Sequence, residues 1–151
     1  MNVLEKLTER WSDIDYPFLV HSSGELRFSE IAEQKAVDVS EVRSGDVVAL
    51  IGDFDPQSIL TLLQLIDKNV ILVPLTVDTR AQHEYFFESA LVDVVIEGEE
   101  VKRITHSINH EIIESLRSKE HAGLVLFSTG TTGRPKAILH DLTLFMQRFE
   151  T

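Results

Sequence analysis

The feature that most constrains this chain is an alternation. Residues 46–51 (DVVALI), 70–75 (VILVPL), 92–96 (VDVVI) and 123–128 (GLVLFS) are short runs dominated by apolar residues, with longer mixed segments between them. A run that is apolar at nearly every position has no solvent face, so as a strand it belongs in a sheet covered on both sides. Strands separated by helices pair in parallel, because the crossover carries the chain back to the starting edge. The expected fold class is therefore α/β, a mostly parallel sheet flanked by helices. Residues 1–151 are read as a single domain, because no repeat, low-complexity run or linker divides them.

Local signals place the remaining elements. Val3, Leu4, Leu7 and Trp11 share a helical face, which predicts a helix over 2–11. Residues 17–20 and 25–28 are strand candidates around Ser22-Ser23-Gly24. Ser29 is positioned to cap a helix reaching about residue 37. Asp55 followed by Pro56 predicts an N-cap with proline at the first helical position. Ile59, Leu60, Leu62, Leu63 and Ile66 then form its apolar stripe. Thr79 and Gln82 have capping-box spacing, which predicts a helix to about residue 90. Phe86 and Phe87 are adjacent, so one of them faces the core. Residues 97–103 read as an acidic loop, 107–118 as a helix and 137–140 as a short strand. Asp141 caps a last helix whose stripe is Leu142, Phe145, Met146 and Phe149. The chain stops soon after that stripe, which leads to the expectation of self-association through the C-terminal helix.

The formal net charge of -11 argues against nucleic acid as a partner, because affinity for DNA or RNA rests on Lys and Arg. A local basic loop can still hold a small anion against the global charge. The chain has no cysteine, hence no disulfide framework, thiolate metal site or thiol nucleophile. The first residues carry charges and no apolar signal core, and no apolar run approaches the roughly 20 residues that span a bilayer. A soluble, cytoplasmic chain without a transmembrane segment is the expectation.

The chemistry concentrates after the last long apolar run. Ser128-Thr129-Gly130-Thr131-Thr132-Gly133 supplies four hydroxyls and two glycines, followed by Arg134-Pro135-Lys136. Glycine permits left-handed backbone and close approach of a ligand. Successive N–H groups in such a turn form an anion-binding concavity. The hydroxyls add neutral donors, Pro135 stiffens the exit and Lys136 adds a mobile positive charge. Together these parts suit a polyphosphate. The spacing is not G-x-x-x-x-G-K-[ST], because the glycines are too close and the lysine follows a proline.

At these residues the chain resembles the adenylate-forming enzymes: acyl- and aryl-CoA synthetases, nonribosomal-peptide adenylation domains and luciferases. FSTGTTGRPKA is similar to their phosphate-loop signature, Tyr/Phe-Thr-Ser-Gly-Ser/Thr-Thr-Gly-x-Pro-Lys-Gly. Phe127, Gly130, Thr131, Thr132, Gly133, Pro135 and Lys136 match it. Thr129 stands where serine is commonest, and Ala137 replaces the final glycine. GELRFSEIAEQ resembles the family's early LTYxEL segment, and residues 44–76 its GDxVAL…VPLD region, with Asp67-Lys68-Asn69 in place of Lys-Ala-Gly. The resemblance implies that Thr129, Gly130, Thr131, Thr132 and Gly133 hold the phosphates of ATP and that Lys136 neutralises the β- and γ-phosphates. It implies ATP and Mg²⁺ in the complete enzyme. A carboxylic acid is adenylated there, then passed to coenzyme A or carrier-protein pantetheine. The family's adenine segment, ribose-binding Asp, hinge and late catalytic Lys all follow the point where this chain ends. The chain is accordingly expected to be the N-terminal portion of an acid–thiol ligase, without a complete catalytic set and inactive alone.

Two other function classes compete: a noncatalytic domain of the same fold serving in assembly or weak phosphate binding, and a phosphate-loop NTPase. The second is disfavoured by the failed spacing and the lack of a second acidic motif. His106 and His110, at i and i+4 of the predicted helix with Glu111 and Glu114 near, lack a third ligand, and no metal site is assigned to them. Asp53 and Asp55 are better explained by a turn and a cap than by Mg²⁺. His140 is as well explained by a strand end as by a site.

Overall fold

The computed structural model describes residues 2–130 and 133–150. Helix α1 (Val3–Trp11) leads into a small hairpin of β1 (Leu19–His21) and β2 (Gly24–Leu26), then α2 (Phe28–Ala32). The main sheet follows: β3 (Val47–Ile51), α3 (Pro56–Asp67), β4 (Ile71–Leu75), a 3-10 helix (Val77–Gln82) and α4 (His83–Ala90). Then come β5 (Val94–Glu97), β6 (Glu100–Arg103), α5 (Glu111–Ser118), β7 (Gly123–Phe127), β8 (Ala137–Asp141) and α6 (Leu142–Gln147). The strand order is β6-β5-β3-β4-β7-β8. The four inner strands run parallel, and the two edge strands are antiparallel additions.

The apolar runs explain the layers. Alternate residues of a strand point to opposite faces, so VVALI feeds two cores. Val47, Ala49 and Ile51 join Ile71, Val73 and Leu75 beneath Phe86 of α4 and Leu116 of α5. Val48 and Leu50 join Leu72, Val94 and Ile96 against Leu65 of α3. A third cluster gathers Val3, Phe28, Leu63, Ile66, Ala122 and Leu142, tying α1, α2 and α6 to α3. Phe86 is buried whereas Phe87 is only partly so, as their adjacency requires.

Two helix starts follow local chemistry. Asp55 accepts the Ser58 amide at 2.9 Å and its hydroxyl at 2.6 Å. Asp141 accepts the Leu144 amide at 3.0 Å and holds His121 Nδ1 at 2.8 Å. Burial pushes both carboxyls up. The bonds from Ser58 to Asp55, and from Leu144 and His121 to Asp141, outweigh it, so both titrate below the ordinary aspartate range. Each such cap contributes about 0.5–2 kcal/mol.

Three expectations are corrected. Ser29 lies inside α2 rather than capping it, because the helix begins at Phe28 and the Glu30 carboxylate accepts the Arg27 amide at 2.7 Å. That helix ends at Ala32, short of residue 37. Thr79 and Gln82 do not form a capping box. The Thr79 hydroxyl bonds Thr76 O at 2.9 Å and lies 3.1 Å from His83 Nε2, within the 3-10 helix that precedes α4. Residues 97–103 are a hairpin rather than a loop: Gly98, at φ +58°, turns β5 into β6.

Opposite the strand ends that carry the loop, ion pairs fasten the amino edge of the sheet. Asp93 accepts the Val47 amide at 2.8 Å and Arg117 at 3.1 Å, while Arg103 donates to Asp46 at 2.8 Å. Among the described residues no helix is long and apolar enough to cross a membrane.

Candidate functional site

Strand β7 ends at Phe127, and residues 128–136 carry the chain from its carboxyl end into β8. In open α/β sheets, ligands gather outside the carboxyl ends of the parallel strands. The loop thus sits at the edge where a site is expected on topology alone. Phe127 packs its ring 4.2 Å from that of Phe86, so the strand end is fixed to the core.

The neck of the loop is closed by a reciprocal pair. The Ser128 amide donates to Lys136 O at 2.9 Å, and the Lys136 amide donates to Ser128 Oγ at 3.0 Å. Thr129, Gly130, Gly133, Arg134 and Lys136 are exposed. Gly133 has φ +85°, the left-handed region in which a side chain is strained. Gly130 has no such φ, and among the described residues beyond its chain neighbours a Cβ built there would meet no atom within 4 Å. Among the described residues, packing therefore does not demand glycine at 130.

The returning arm has its own support from α4. The Tyr85 hydroxyl donates to Pro135 O at 2.6 Å, and the Arg134 guanidinium lies 5.0 Å above the Tyr85 ring centre. Tyr85 is not among the residues singled out from the sequence. Its partner is 50 positions away, so no local pattern announces it.

Of the residues assigned to phosphate binding, Thr129, Gly130, Gly133 and Lys136 are exposed along this loop. Thr131 and Thr132 lie outside the described residues. His140, in β8, pairs with Leu124, toward the end of the strand pair away from the loop. His106 and His110 do not share a helix face. His106 precedes α5 and sits 2.8 Å from Asp93, while His110 Nδ1 accepts the Ile112 amide at 3.2 Å as the N-cap. Asp53 accepts the Val77 amide at 3.1 Å, a tie between the loops after β3 and β4. Among the described residues no group of three or more His, Asp or Glu is placed to hold a metal ion.

No protein-family model matches the chain, and no curated protein matches it. Solved structures do match. The N-terminal subdomain of Klebsiella oxytoca NpsA, in complex with anthranilyl-AMSN, superposes with a TM-score of 0.60 at 19% identity, over 91% of this chain and 39% of that one. VinN in complex with L-aspartate gives 0.59 at 14% identity, over 93% and 47%. CmiS6 gives 0.62 at 14% identity, over 99% and 43%. The chain thus has the fold of part of the NpsA N-terminal subdomain, the α/β fold expected for the N-terminal portion of an adenylate-forming enzyme. It spans less than half the length of each of these structures.

Proposed function

We propose that residues 128–136 are the phosphate-binding loop of an adenylate-forming domain, and that a longer chain carrying this domain is an ATP-dependent acid–thiol ligase of the acyl-CoA synthetase kind. The observation that carries the reading is the loop itself. A strand end at the carboxyl edge leads into a glycine–hydroxyl sequence of which Thr129, Gly130 and Gly133 are exposed, closed at its neck and followed by an exposed lysine. The open side of Gly130 gives a triphosphate room to lie against backbone. Thr129, Gly130, Thr131, Thr132 and Gly133 are assigned to the phosphates, and Lys136 to the charge of their outer groups. In a chain of net charge -11, Arg134 and Lys136 supply the local positive field. Aligning a carboxylate with a triphosphate requires such charge, because the two reactants repel. Mg²⁺ is assigned to the nucleotide complex rather than to a protein cage. Coenzyme A or carrier-protein pantetheine is the proposed thiol.

The 151 residues alone are expected not to form acyl-adenylates, given that they span less than half of each similar structure. ATP–pyrophosphate exchange with a panel of carboxylic acids tests both parts. A longer chain is expected to exchange with at least one acid, and the 151-residue chain with none. Exchange by the short chain would refute its inactivity. No exchange by any longer chain would favour the alternative, a noncatalytic domain of this fold.

A further inference from the structure

We infer that Tyr85 is a positioning residue for the phosphate loop, an assignment that rests on the phosphate reading above. The loop is supported unequally. Its outgoing arm leaves β7 from a strand end packed on Phe86. Its neck is closed by the Ser128–Lys136 pair. The returning arm, Gly133 to Pro135, has neither advantage. Gly133 is the most permissive residue and stands at φ +85°. Pro135 has no amide hydrogen with which to join the strand pairing. Among the described residues, this arm is anchored by one side chain from another element.

Tyr85 grips that arm twice. Its hydroxyl holds Pro135 O, and its ring lies under the guanidinium of Arg134. The ring packs against the core cluster below α4, with Phe86 6.0 Å away. A tyrosine has only two side-chain torsions, so a ring fixed below transmits a fixed position above. The residue immediately after the gripped pair is Lys136. Tyr85 therefore holds the Arg134–Pro135 segment that leads into Lys136, whose own backbone is fixed by Ser128. An arm already ordered in the free protein lowers the cost of ordering it on a ligand.

The test uses the 151-residue chain, with inorganic tripolyphosphate plus Mg²⁺ as probe and nuclear magnetic resonance as readout. Two variants separate the contacts: Tyr85→Phe keeps the ring and loses the hydroxyl, while Tyr85→Leu loses both. Tyr85→Phe is expected to bind the probe about three- to tenfold more weakly, the worth of one hydrogen bond. Tyr85→Leu is expected to bind more weakly still. In the free protein, amide exchange at Arg134 and Lys136 should quicken in both variants while that of Val73 in the central sheet stays unchanged. A role in general stability would quicken them together. Wild-type affinity and unchanged arm exchange in Tyr85→Phe would overturn the assignment. If the wild-type chain does not bind the probe at all, the phosphate reading falls and the assignment with it; arm exchange would still report whether the grip exists.

Discussion

Lys136→Ala, made in a longer chain that carries this domain, is expected to lower kcat/KM for ATP by about ten- to a hundredfold. The size follows from what a charge-assisted contact contributes, roughly 1.5–3 kcal/mol, at about 1.4 kcal/mol for each factor of ten. The direction follows from position. Lys136 stands at the neck of the loop, its backbone held by Ser128 and the residue exposed. The affinity for the acid should change far less than that for ATP, because the lysine is assigned to phosphate and not to the acid. Lys136→Arg should recover part of the loss, since it restores charge but not the compact ammonium. Initial rates over a matrix of ATP and acid concentrations provide the check. An unchanged kcat/KM for ATP in Lys136→Ala would remove the lysine from the site.

The 151-residue chain is expected to pair with itself through α1 and α6. Leu142 is buried, but Phe145 is 54% exposed, and Phe149, just past the end of α6, is 65% exposed. The two rings stack edge to face at 5.3 Å. They form one wall of a groove of about 990 Å³ whose other wall includes Val3 and Leu7. Covering a large apolar side chain is worth roughly 1.5–3 kcal/mol, so the groove strongly favours an occupant. Charge argues for a second copy. The chain as a whole carries -11 and repels itself. The groove's charged residues are Lys6 and Arg10 against Glu9 and Glu150, a locally neutral set, with Lys6 and Glu150 already paired. A two-fold axis through this patch brings apolar walls together without stacking net charge. Light scattering across a concentration series should show the mass rising from one chain to two. Phe145→Asp should hold it at one. A single-chain mass for the wild type up to high micromolar concentration would refute the pairing.

The elements legible in the sequence were those set by adjacent residues. Asp55-Pro56 and Asp141 cap their helices because an aspartate needs only the amide three positions on. The apolar runs mark the inner parallel strands, most plainly β3 and β4, where burial on both faces leaves no solvent-facing position to confuse the pattern. Where a second partner competes, local reading fails. The Thr79 hydroxyl has the right spacing for a cap but turns to Thr76 and His83. Ser29 has the right chemistry, yet the burial of Phe28 draws the helix start ahead of it. The β5–β6 hairpin was obscured by its charge. Glu97, Glu99 and Glu100 read as solvated loop, while Gly98 supplies the turn and Val101 the half-buried position. At the site, the glycine–hydroxyl loop was legible as chemistry because its parts are contiguous. Its support was not, since Tyr85 reaches Pro135 only after α4 has packed across the sheet.

The central claim is that residues 128–136 receive a polyphosphate, and it is tested most directly by titrating the isotopically labelled 151-residue chain with Mg²⁺–tripolyphosphate while following every backbone amide. Saturable shifts are expected, concentrated between Ser128 and Lys136, strongest at the glycines, and lost in Lys136→Ala. Shifts that are absent, or that centre on the α1–α6 groove with the loop unmoved, would contradict it.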